Sequence, residues 1–338
     1  MTSVLLQVES GVATLAFNRP QVLNAMDADM MIRFRAVAEE VERDPAVRVI
    51  VLRGEGPAFL AGGDVALFHQ RLRELPDIIV RWGREMHFAI QSLRRSAKPV
   101  LASVHGACAG AGFSILCAAD LAVAADNARF SLAYAGIGAS PDGGSSFFLP
   151  RLVGYKKAME LTLLPELFDA QVAKQHGLVN WVVPADQLVA ETARLAKRLA
   201  NGPTTAYGEA KRLMNQSLSA SMETQMEEEL FAFARCARTR DLAEGVTAFV
   251  EKRKPVFKGQ YPQRQTSQKH REKQDNFAPS TEVTRCEREE SVIAVGDRYL
   301  ARPGQCAGLR LLRVFCDLCG LMPYEQAFPT LPTTRKSE

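Results

Sequence analysis

Two buried strands of this sequence are each followed directly by a glycine-rich loop. The first strand, Val47–Leu52, leads into Gly54–Asp64, and the second, Val100–Val104, leads into Gly106–Gly112. The second loop opens a helix of small residues that runs to about Ala119. This alternation of strand, loop and helix predicts an α/β fold whose helix N-termini point towards one edge of a sheet.

Both loops consist of residues without bulky side chains, so a bound molecule can approach the backbone closely. A helix N-terminus adds free N–H groups and the positive end of the helix dipole. Two N–H donors that converge from separate loops can form an oxyanion hole, in which one donor contributes about 3–4 kcal/mol to a transition state. Either loop alone is more typical of a tight turn or of close helix–sheet packing. Neither matches a phosphate-binding loop or the dinucleotide pattern.

The composition argues against several other functions. With 42 basic and 38 acidic residues the net charge is +4, which is too small and too evenly spread to indicate nucleic acid as a partner. Seven cysteines, an odd number, do not indicate a disulfide framework, and the pair Cys316 and Cys319 lacks a second pair, so no metal site is expected. The sequence shows neither a signal peptide nor a membrane span, and we expect a cytoplasmic protein.

The rest of the chain predicts further elements around the two loops. Val4–Val8 and Val12–Phe17 indicate a hairpin, and Asp27 can cap a helix that runs to about residue 43. Leu121–Ala125 indicates a third strand. Helical periodicity predicts the remaining helices, which are Val80–Arg94, Glu191–Leu199, Ala206–Ser217, Ser221–Arg238 and Asp241–Arg253.

Short motifs occur along the whole chain in a characteristic order. The motifs are Phe17–Pro20 with Leu23–Ala25, Ala58–Asp64, Lys98–Val100 with Gly106–Gly112, Phe130, Pro141–Gly144, Ala173–Val179 and Phe249–Lys254. In this order and spacing, the sequence resembles the crotonase (enoyl-CoA hydratase/isomerase) superfamily over about residues 3–258. The resemblance implies a spiral of ββα units closed by C-terminal helices that pack across a trimer.

The same resemblance implies how the chain is divided. Residues 1–195 would form the crotonase core, and residues 196–259 the C-terminal helical trimerisation region. The composition changes after Gly259, and residues 261–280 are rich in Gln, Lys, Arg, Pro and Ser without periodicity, which is typical of a linker. Residues 260–338 are therefore predicted to be a non-family tail that is largely disordered.

The resemblance also implies a set of site residues. The oxyanion donors would be the N–H groups of Gly63 and Ala111, and no metal or bound cofactor is implied, since CoA arrives as part of the acyl-CoA substrate. The protein would be a homotrimer or a dimer of trimers, in which Phe249 and Lys252 reach a neighbouring subunit's CoA. Lys252 fits a solvated helix end equally well. The implied substrate-binding residues are Leu23, Ala25, Ala61, Gly62, Asp64, Gly110, Ser114, Tyr134, Phe249 and Lys252.

One departure from the family pattern concerns the catalytic acids. Hydratases of the family carry two glutamates, which would fall at Ser114 and Tyr134, and neither residue can act as a general base. An acid occurs instead at Asp142, where some isomerases of the family have one. A single carboxylate can remove a proton and return it elsewhere, so the sequence predicts an enoyl-CoA isomerase with Asp142 as the catalytic acid/base. The alternative is that Asp142 only caps a turn ahead of a helix at Ser145.

Other functions within the family remain open. In the aroyl-CoA dehalogenases an Asp at position 142 is the nucleophile, beside an aromatic residue at 134 and a His at 87. Here His87 lies on an amphipathic helix, where a lone His is more often packed against the core, and His105 is interpreted as a turn residue. Hydration through an unidentified base and an inactive acyl-CoA-binding scaffold are the remaining alternatives.

Overall fold

The computed structural model describes residues 2–259, which contain both strands and helices. The predicted linker and tail lie outside the described residues. The strands in this part of the chain are β1 (Val4–Glu9), β2 (Val12–Phe17), β3 (Val49–Gly54), β4 (Val100–Val104), β5 (Ala107–Ala109), β6 (Leu121–Ala125), β7 (Arg129–Ser131), β8 (Phe168–Asp169) and β9 (Trp181–Val183).

The helices alternate with the strands as far as β9, and the elements of the described chain after β9 are helical. They are α1 (Ala28–Arg43), α2 (Val65–Gln70), α3 (Leu75–Arg95), α4 (Ala111–Ala118), α5 (Ser145–Val153), α6 (Tyr155–Leu163), α7 (Ala170–Gln175), α8 (Leu188–Ala200), α9 (Thr204–Ser217), α10 (Met222–Ala237) and α11 (Arg240–Val250). The predicted α/β class is therefore confirmed. The predicted division at residue 195 falls inside α8. None of the described helices is long and apolar enough to cross a membrane.

The main sheet has six strands in the order β1-β2-β3-β4-β6-β9. The first two form the predicted antiparallel hairpin, and every later pair in this sheet is parallel. Because β3 and β4 are parallel neighbours, their carboxyl ends meet at one edge. This brings the two glycine-rich loops to the same side of the molecule.

The structure contains a second sheet, in the order β5-β7-β8, which the sequence does not predict. Strand β5 occupies the middle of the predicted loop Gly106–Gly112, and it pairs in parallel with β7. The prediction of a continuous loop there was wrong. Three residues are too few to show a period in sequence, and the pairing partner lies more than twenty residues away.

The helix α1 confirms the prediction made from its capping residue. The carboxylate of Asp27 accepts a hydrogen bond from the N–H of Met30 at 2.9 Å, and the buried face includes Met30, Phe34, Val37 and Val41. This face packs in the main hydrophobic core together with the buried side of α3. The two helices therefore form a rigid layer against the sheet.

The start of α3 was predicted five residues too late. The helix begins at Leu75, and Pro76 occupies its first turn. A proline in the first turn of a helix is tolerated, because the N–H that it lacks would have no partner there. The helix α3 carries His87 near its middle and passes close to the Pro141–Gly144 turn.

Candidate active site

The two glycine-rich loops are joined by backbone hydrogen bonds. The N–H of Phe59 donates to the carbonyl of His105 at 2.8 Å, and the N–H of Leu60 donates to Ala107 at 3.1 Å. In return the N–H of Ala109 donates to the carbonyl of Leu60 at 3.0 Å. The loops therefore run side by side as a short bridged pair, and His105 belongs to this bridge rather than to an isolated turn.

Glycines are required where the loops come closest. A Cβ atom on Gly110 would lie 3.3 Å from the Cα atom of Gly62, and both residues have positive φ angles, of 50° and 107°. A Cβ atom on Gly112 would lie only 2.1 Å from the carbonyl oxygen of Leu60. The glycines thus allow the N-terminus of α4, at the end of the second loop, to pack directly against the first loop.

The predicted oxyanion donors flank this contact. Gly63 follows Gly62 and Ala111 follows Gly110, so each predicted donor lies directly after the glycine through which its loop contacts the other loop. Within residues 2–259, neither N–H group donates to another residue. Ala111 is also the first residue of α4, where the helix dipole favours negative charge. Such an arrangement can accept a developing oxyanion.

A chain of side chains links the oxyanion loop to Asp142. The hydroxyl of Ser114 lies 3.2 Å from the carbonyl of Gly110 and 3.0 Å from the hydroxyl of Tyr134. Tyr134 in turn donates to the Oδ1 atom of Asp142 at 2.5 Å. The structure therefore brings Ser114, Tyr134 and Asp142 together beside Gly110.

Burial, and then the negative charge of Asp142, raise the pKa of the Tyr134 hydroxyl well above its ordinary value. The hydroxyl therefore stays protonated and remains a hydrogen-bond donor. Tyr134 gives its own proton to Asp142, so in the contact between the two hydroxyls only Ser114 can donate, and its one proton is shared with the carbonyl of Gly110. The three side chains therefore form a connected series of polar contacts that ends on the carboxylate of Asp142.

The carboxylate of Asp142 does not cap the following helix. The residue at the N-cap of α5 is Gly144, without a side-chain hydrogen bond. Ser145 binds the backbone carbonyl of Asp142 instead, at 3.2 Å through its N–H and 2.9 Å through its hydroxyl. The turn is thus held by the backbone of Asp142, which leaves the side chain for Tyr134.

His87 is not packed against the core, and this prediction was wrong. The side chain is exposed at the edge of the buried face of α3, next to the buried Met86. Its Nε2 atom accepts a hydrogen bond from the N–H of Gly143 at 3.2 Å. His87 therefore contacts the turn that carries Asp142.

A cavity of about 910 Å³ opens on the far side of this turn. It is lined by His87 and Asp142, by the aromatic rings of Phe147 and Phe148, and by polar side chains of α3 and α9. Gly63 and Ala111 are not part of its lining. Asp142 thus lines a cavity large enough for an organic group and is also connected through Tyr134 and Ser114 to the second glycine loop.

Leu23 and Ala25 lie beside the first loop. The carbonyl of Leu23 accepts from the N–H of Ala61 at 3.0 Å, and the N–H of Met26 donates to the carbonyl of Gly62 at 2.8 Å. Leu23 is exposed and Ala25 half-buried, so both border the loop that carries Gly63.

Asn24 is a buried residue whose importance was not recognised in the sequence. Its side-chain amide donates to the carbonyls of Glu55 and Ala58 at 2.9 and 2.8 Å, and its Oδ1 atom accepts from the N–H of Arg19 at 2.8 Å. The available signal was its position inside the Leu23–Ala25 motif. These hydrogen bonds of Asn24 therefore fix the backbone conformation of the first loop.

The carboxylate of Asp64 is already engaged within the protein. One oxygen lies 3.1 Å from the guanidinium of Arg19, and the other accepts from the N–H of Leu67 at 3.1 Å, which caps α2. A substrate-binding role predicted for Asp64 would therefore have to use its backbone.

Two predicted residues are not brought to the site within this chain. Phe249 is 85% exposed near the end of α11, and Lys252 follows it with a positive φ angle of 55°. Neither forms a side-chain hydrogen bond with another described residue. Residues 2–259 also contain no group of three or more metal-binding side chains.

The chain matches the model of a known family, described as enoyl-CoA hydratase/isomerase, over residues 7–260. It is 35% identical to the 1,2-epoxyphenylacetyl-CoA isomerase of Escherichia coli K12, covering 77% of this chain and 99% of that protein. It is 33% identical to the crotonyl-CoA hydratase of Syntrophomonas wolfei, covering 75% of this chain and 97% of that protein. A crystal structure of an enoyl-CoA hydratase from Polaromonas sp. JS666 superimposes with a TM-score of 0.72 at 34% identity, covering 75% of this chain and 99% of that one.

Proposed function

Since the chain belongs to the enoyl-CoA hydratase/isomerase family and has its crotonase fold, we propose that it isomerises an enoyl-CoA by moving a carbon–carbon double bond. The observation that carries this proposal is the single carboxylate of Asp142, held by Tyr134 at 2.5 Å in a chain that starts at the oxyanion loop. The positions expected to be acidic in a hydratase are occupied by Ser114 and Tyr134.

One carboxylate is sufficient for isomerisation. In a 2-enoyl-CoA, Asp142 would remove a proton from the γ carbon, and the electron pair of that C–H bond would move through the double bond onto the thioester oxygen. The protonated Asp142 would then return the proton to the α carbon, which leaves the double bond between the β and γ carbons. In the reverse direction the α proton is removed and the γ carbon is protonated. No water is added and no other group is oxidised or reduced.

The charge of the dienolate would be held by the N–H groups of Gly63 and Ala111. Both are free within the described chain, and Ala111 adds the positive end of α4. Two preorganised donors aimed at the oxygen where charge develops would lower the barrier by several kcal/mol, at about 3–4 kcal/mol for one donor. Ser114 and Tyr134 would shape the acyl site between these donors and Asp142.

The substrate would bring its own CoA, and we propose no metal or bound cofactor. Leu23 and Ala25, which border the Gly63 loop, would contact the adenine, with Ala61, Gly62, Asp64 and Gly110 supplying backbone around the thioester. Phe249 and Lys252 are exposed and would reach the CoA of a neighbouring subunit. A lysine suits that position, because an ammonium group binds phosphate as a point charge.

A second candidate is displacement of halide from the aromatic ring of a haloaroyl-CoA, with the carboxylate of Asp142 as the nucleophile that forms the new C–O bond. It is favoured by one observation, the contact of His87 with the Asp142–Gly143 turn. An ester formed on Asp142 would then be hydrolysed by water that His87 deprotonates. The hydrogen bond from Tyr134 stabilises the carboxylate and lowers its basicity and its nucleophilicity alike, so this contact does not separate the two candidates.

The test is to incubate 2-enoyl-CoA and 3-enoyl-CoA substrates with the protein in heavy water and to follow the products by mass spectrometry. We expect interconversion of the double bonds with incorporation of deuterium and without added water. Asp142→Asn is expected to abolish both, and Asp186→Asn, at an exposed aspartate outside the site, serves as the matched control.

The other outcomes separate the rival functions. Added water that persists in Asp142→Asn would make the protein a hydratase with a different base. Halide release from a haloaroyl-CoA would favour the nucleophilic candidate. Binding of acyl-CoA without turnover of any of these substrates would make the protein a scaffold.

A further inference from the structure

His87 is a histidine that the isomerase mechanism does not use, although it touches the turn that carries the base. We propose that His87 is a positioning residue, whose neutral imidazole fixes the Asp142–Gly143 turn by accepting the N–H of Gly143. The inference rests on the proposed function, because it concerns the placement of Asp142. It assigns His87 neither to proton transfer nor to contact with the reacting atoms.

The geometry defines the protonation state that this role requires. The Nε2 atom accepts the Gly143 N–H at 3.2 Å, so it must carry a lone pair, and the proton of the neutral ring lies on Nδ1. An imidazolium has no lone pair and cannot make this bond. Protonation of His87 would thus remove the contact from the turn.

Gly143 has little freedom to find another partner. A Cβ atom at this residue would lie 2.8 Å from the Cβ atom of Ser114 and 3.3 Å from the Cε atom of Met86, and its φ angle is 61°. The residue is buried between α3 and α4, where an unpaired N–H group is costly. The turn would therefore shift when its acceptor is lost, and the carboxylate one residue earlier would move with it.

Asp142 is thus held from two sides. Tyr134 holds its side chain at 2.5 Å, and His87 holds the backbone of the next residue. A displacement of about 1 Å in a reacting group can reduce the rate about a hundred-fold. The hydrogen bond to His87 is therefore expected to act on kcat more than on KM.

The charged groups around His87 include Asp142 and four cations that line the same cavity. These cations are Arg94 and Arg95 on α3 and Lys211 and Arg212 on α9. On the remaining face, Glu85 of α3 is paired with Arg35 of α1, and this guanidinium also stacks on Phe88.

The test compares two substitutions at the same position. In His87→Gln the side-chain oxygen replaces Nε2 as an acceptor but does not titrate, and in His87→Leu no acceptor remains. We expect kcat of His87→Leu to fall about ten-fold or more at all pH values, with KM nearly unchanged. The variant His87→Gln should retain most of the activity, and His69→Gln, at an exposed histidine of α2, is the matched control.

The pH profile distinguishes positioning from a merely structural role. An imidazolium cannot accept the Gly143 N–H, so the loss of wild-type kcat on acidification should be larger than the loss in His87→Gln, whose acceptor takes up no proton. Superimposable profiles for the wild type and His87→Gln would overturn the proposal. Equal inactivation by Gln and Leu would overturn it as well and would favour His87 as a general base.

Amide hydrogen exchange gives a readout that does not depend on the reaction. The peptide that contains Gly143 should lose protection in His87→Leu and on acidification of the wild type, and keep it in His87→Gln. If the wild type shows this exchange pattern but no isomerisation, the proposed function fails while the contact stands. Unchanged exchange in His87→Leu would overturn the positioning role even in an active isomerase.

Discussion

Tyr134 determines how Asp142 is presented within the candidate site. In the described chain, the carboxylate of Asp142 accepts a side-chain hydrogen bond from Tyr134 alone, at 2.5 Å. Burial, followed by the charge of Asp142, raises the pKa of Tyr134. The hydroxyl is therefore protonated throughout the range below about pH 10, where an ordinary tyrosine would begin to ionise. Tyr134 is a permanent donor and not a titrating one.

Removal of this donor gives the first residue-scale prediction. In Tyr134→Phe the carboxylate loses a hydrogen bond to a charged acceptor, a contact that typically contributes about 1.5–3 kcal/mol. We expect kcat for isomerisation to fall about ten-fold or more, measured by steady-state kinetics beside Tyr155→Phe as an exposed control. Wild-type kcat in Tyr134→Phe would mean that Asp142 is positioned without the hydroxyl.

The site residues differ in how far the sequence could reveal them. The sequence indicates Asp142 and the two glycine loops because their signals are local: an acid in a Pro-Asp-Gly turn, and small residues after a strand. His87 was assigned to the core because it follows Met86 on an amphipathic helix, yet one step of about 100° takes it out of the buried face. The roles of Asn24 and Arg19 depend on partners more than thirty residues away and had no local signal.

The joined glycine loops are the element on which the site depends. Their contact places the N-terminus of α4 against Leu60, and it leaves no space for a side chain at Gly112. Overpacking of this kind typically costs about 1–3 kcal/mol, and here the obstacle is backbone rather than a flexible side chain.

Two glycine-to-alanine substitutions test this packing. In Gly112→Ala the new methyl group would meet the carbonyl of Leu60 at 2.1 Å, so we expect a loss of about 1–3 kcal/mol in the free energy of unfolding. In Gly83→Ala, inside α3, a Cβ atom meets nothing within 4 Å, and alanine should stabilise the helix by about 0.5–1 kcal/mol. Chemical unfolding of both variants checks the contrast, and equal stabilities would contradict it.

Elements with long periodic patterns were predicted well, and short ones were not. The prediction of α1 was confirmed by its capping residue and its buried face, which repeat over four turns. Strands β5, β7, β8 and β9 contain two or three residues each. Their existence depends on pairing with distant segments, so a single sequence contains no pattern from which to predict them.

At the scale of the whole molecule, the C-terminal helices present an apolar surface. Met222, Met226, Leu230 and Phe233 repeat at helical spacing along one face of α10, and each is between 58% and 70% exposed. The one residue of α10 that is buried in the single chain is the small Ala232, so the large apolar side chains of this helix are the exposed ones. A stripe of this size on a monomer marks an interaction surface. It supports the proposal that residues 196–259 assemble the protein into a homotrimer or a dimer of trimers.

The double variant Leu230→Glu and Phe233→Glu tests this assembly. Charges in the stripe would be buried without partners, so we expect the variant to sediment as a monomer of about 37.1 kDa and the wild type at three or six times that mass. The variant should also bind acyl-CoA more weakly, because Phe249 and Lys252 would no longer reach a neighbouring site. Val189→Glu, at a residue 80% exposed on α8, is the control. A monomeric wild type with full activity would contradict both the assembly and the shared CoA site.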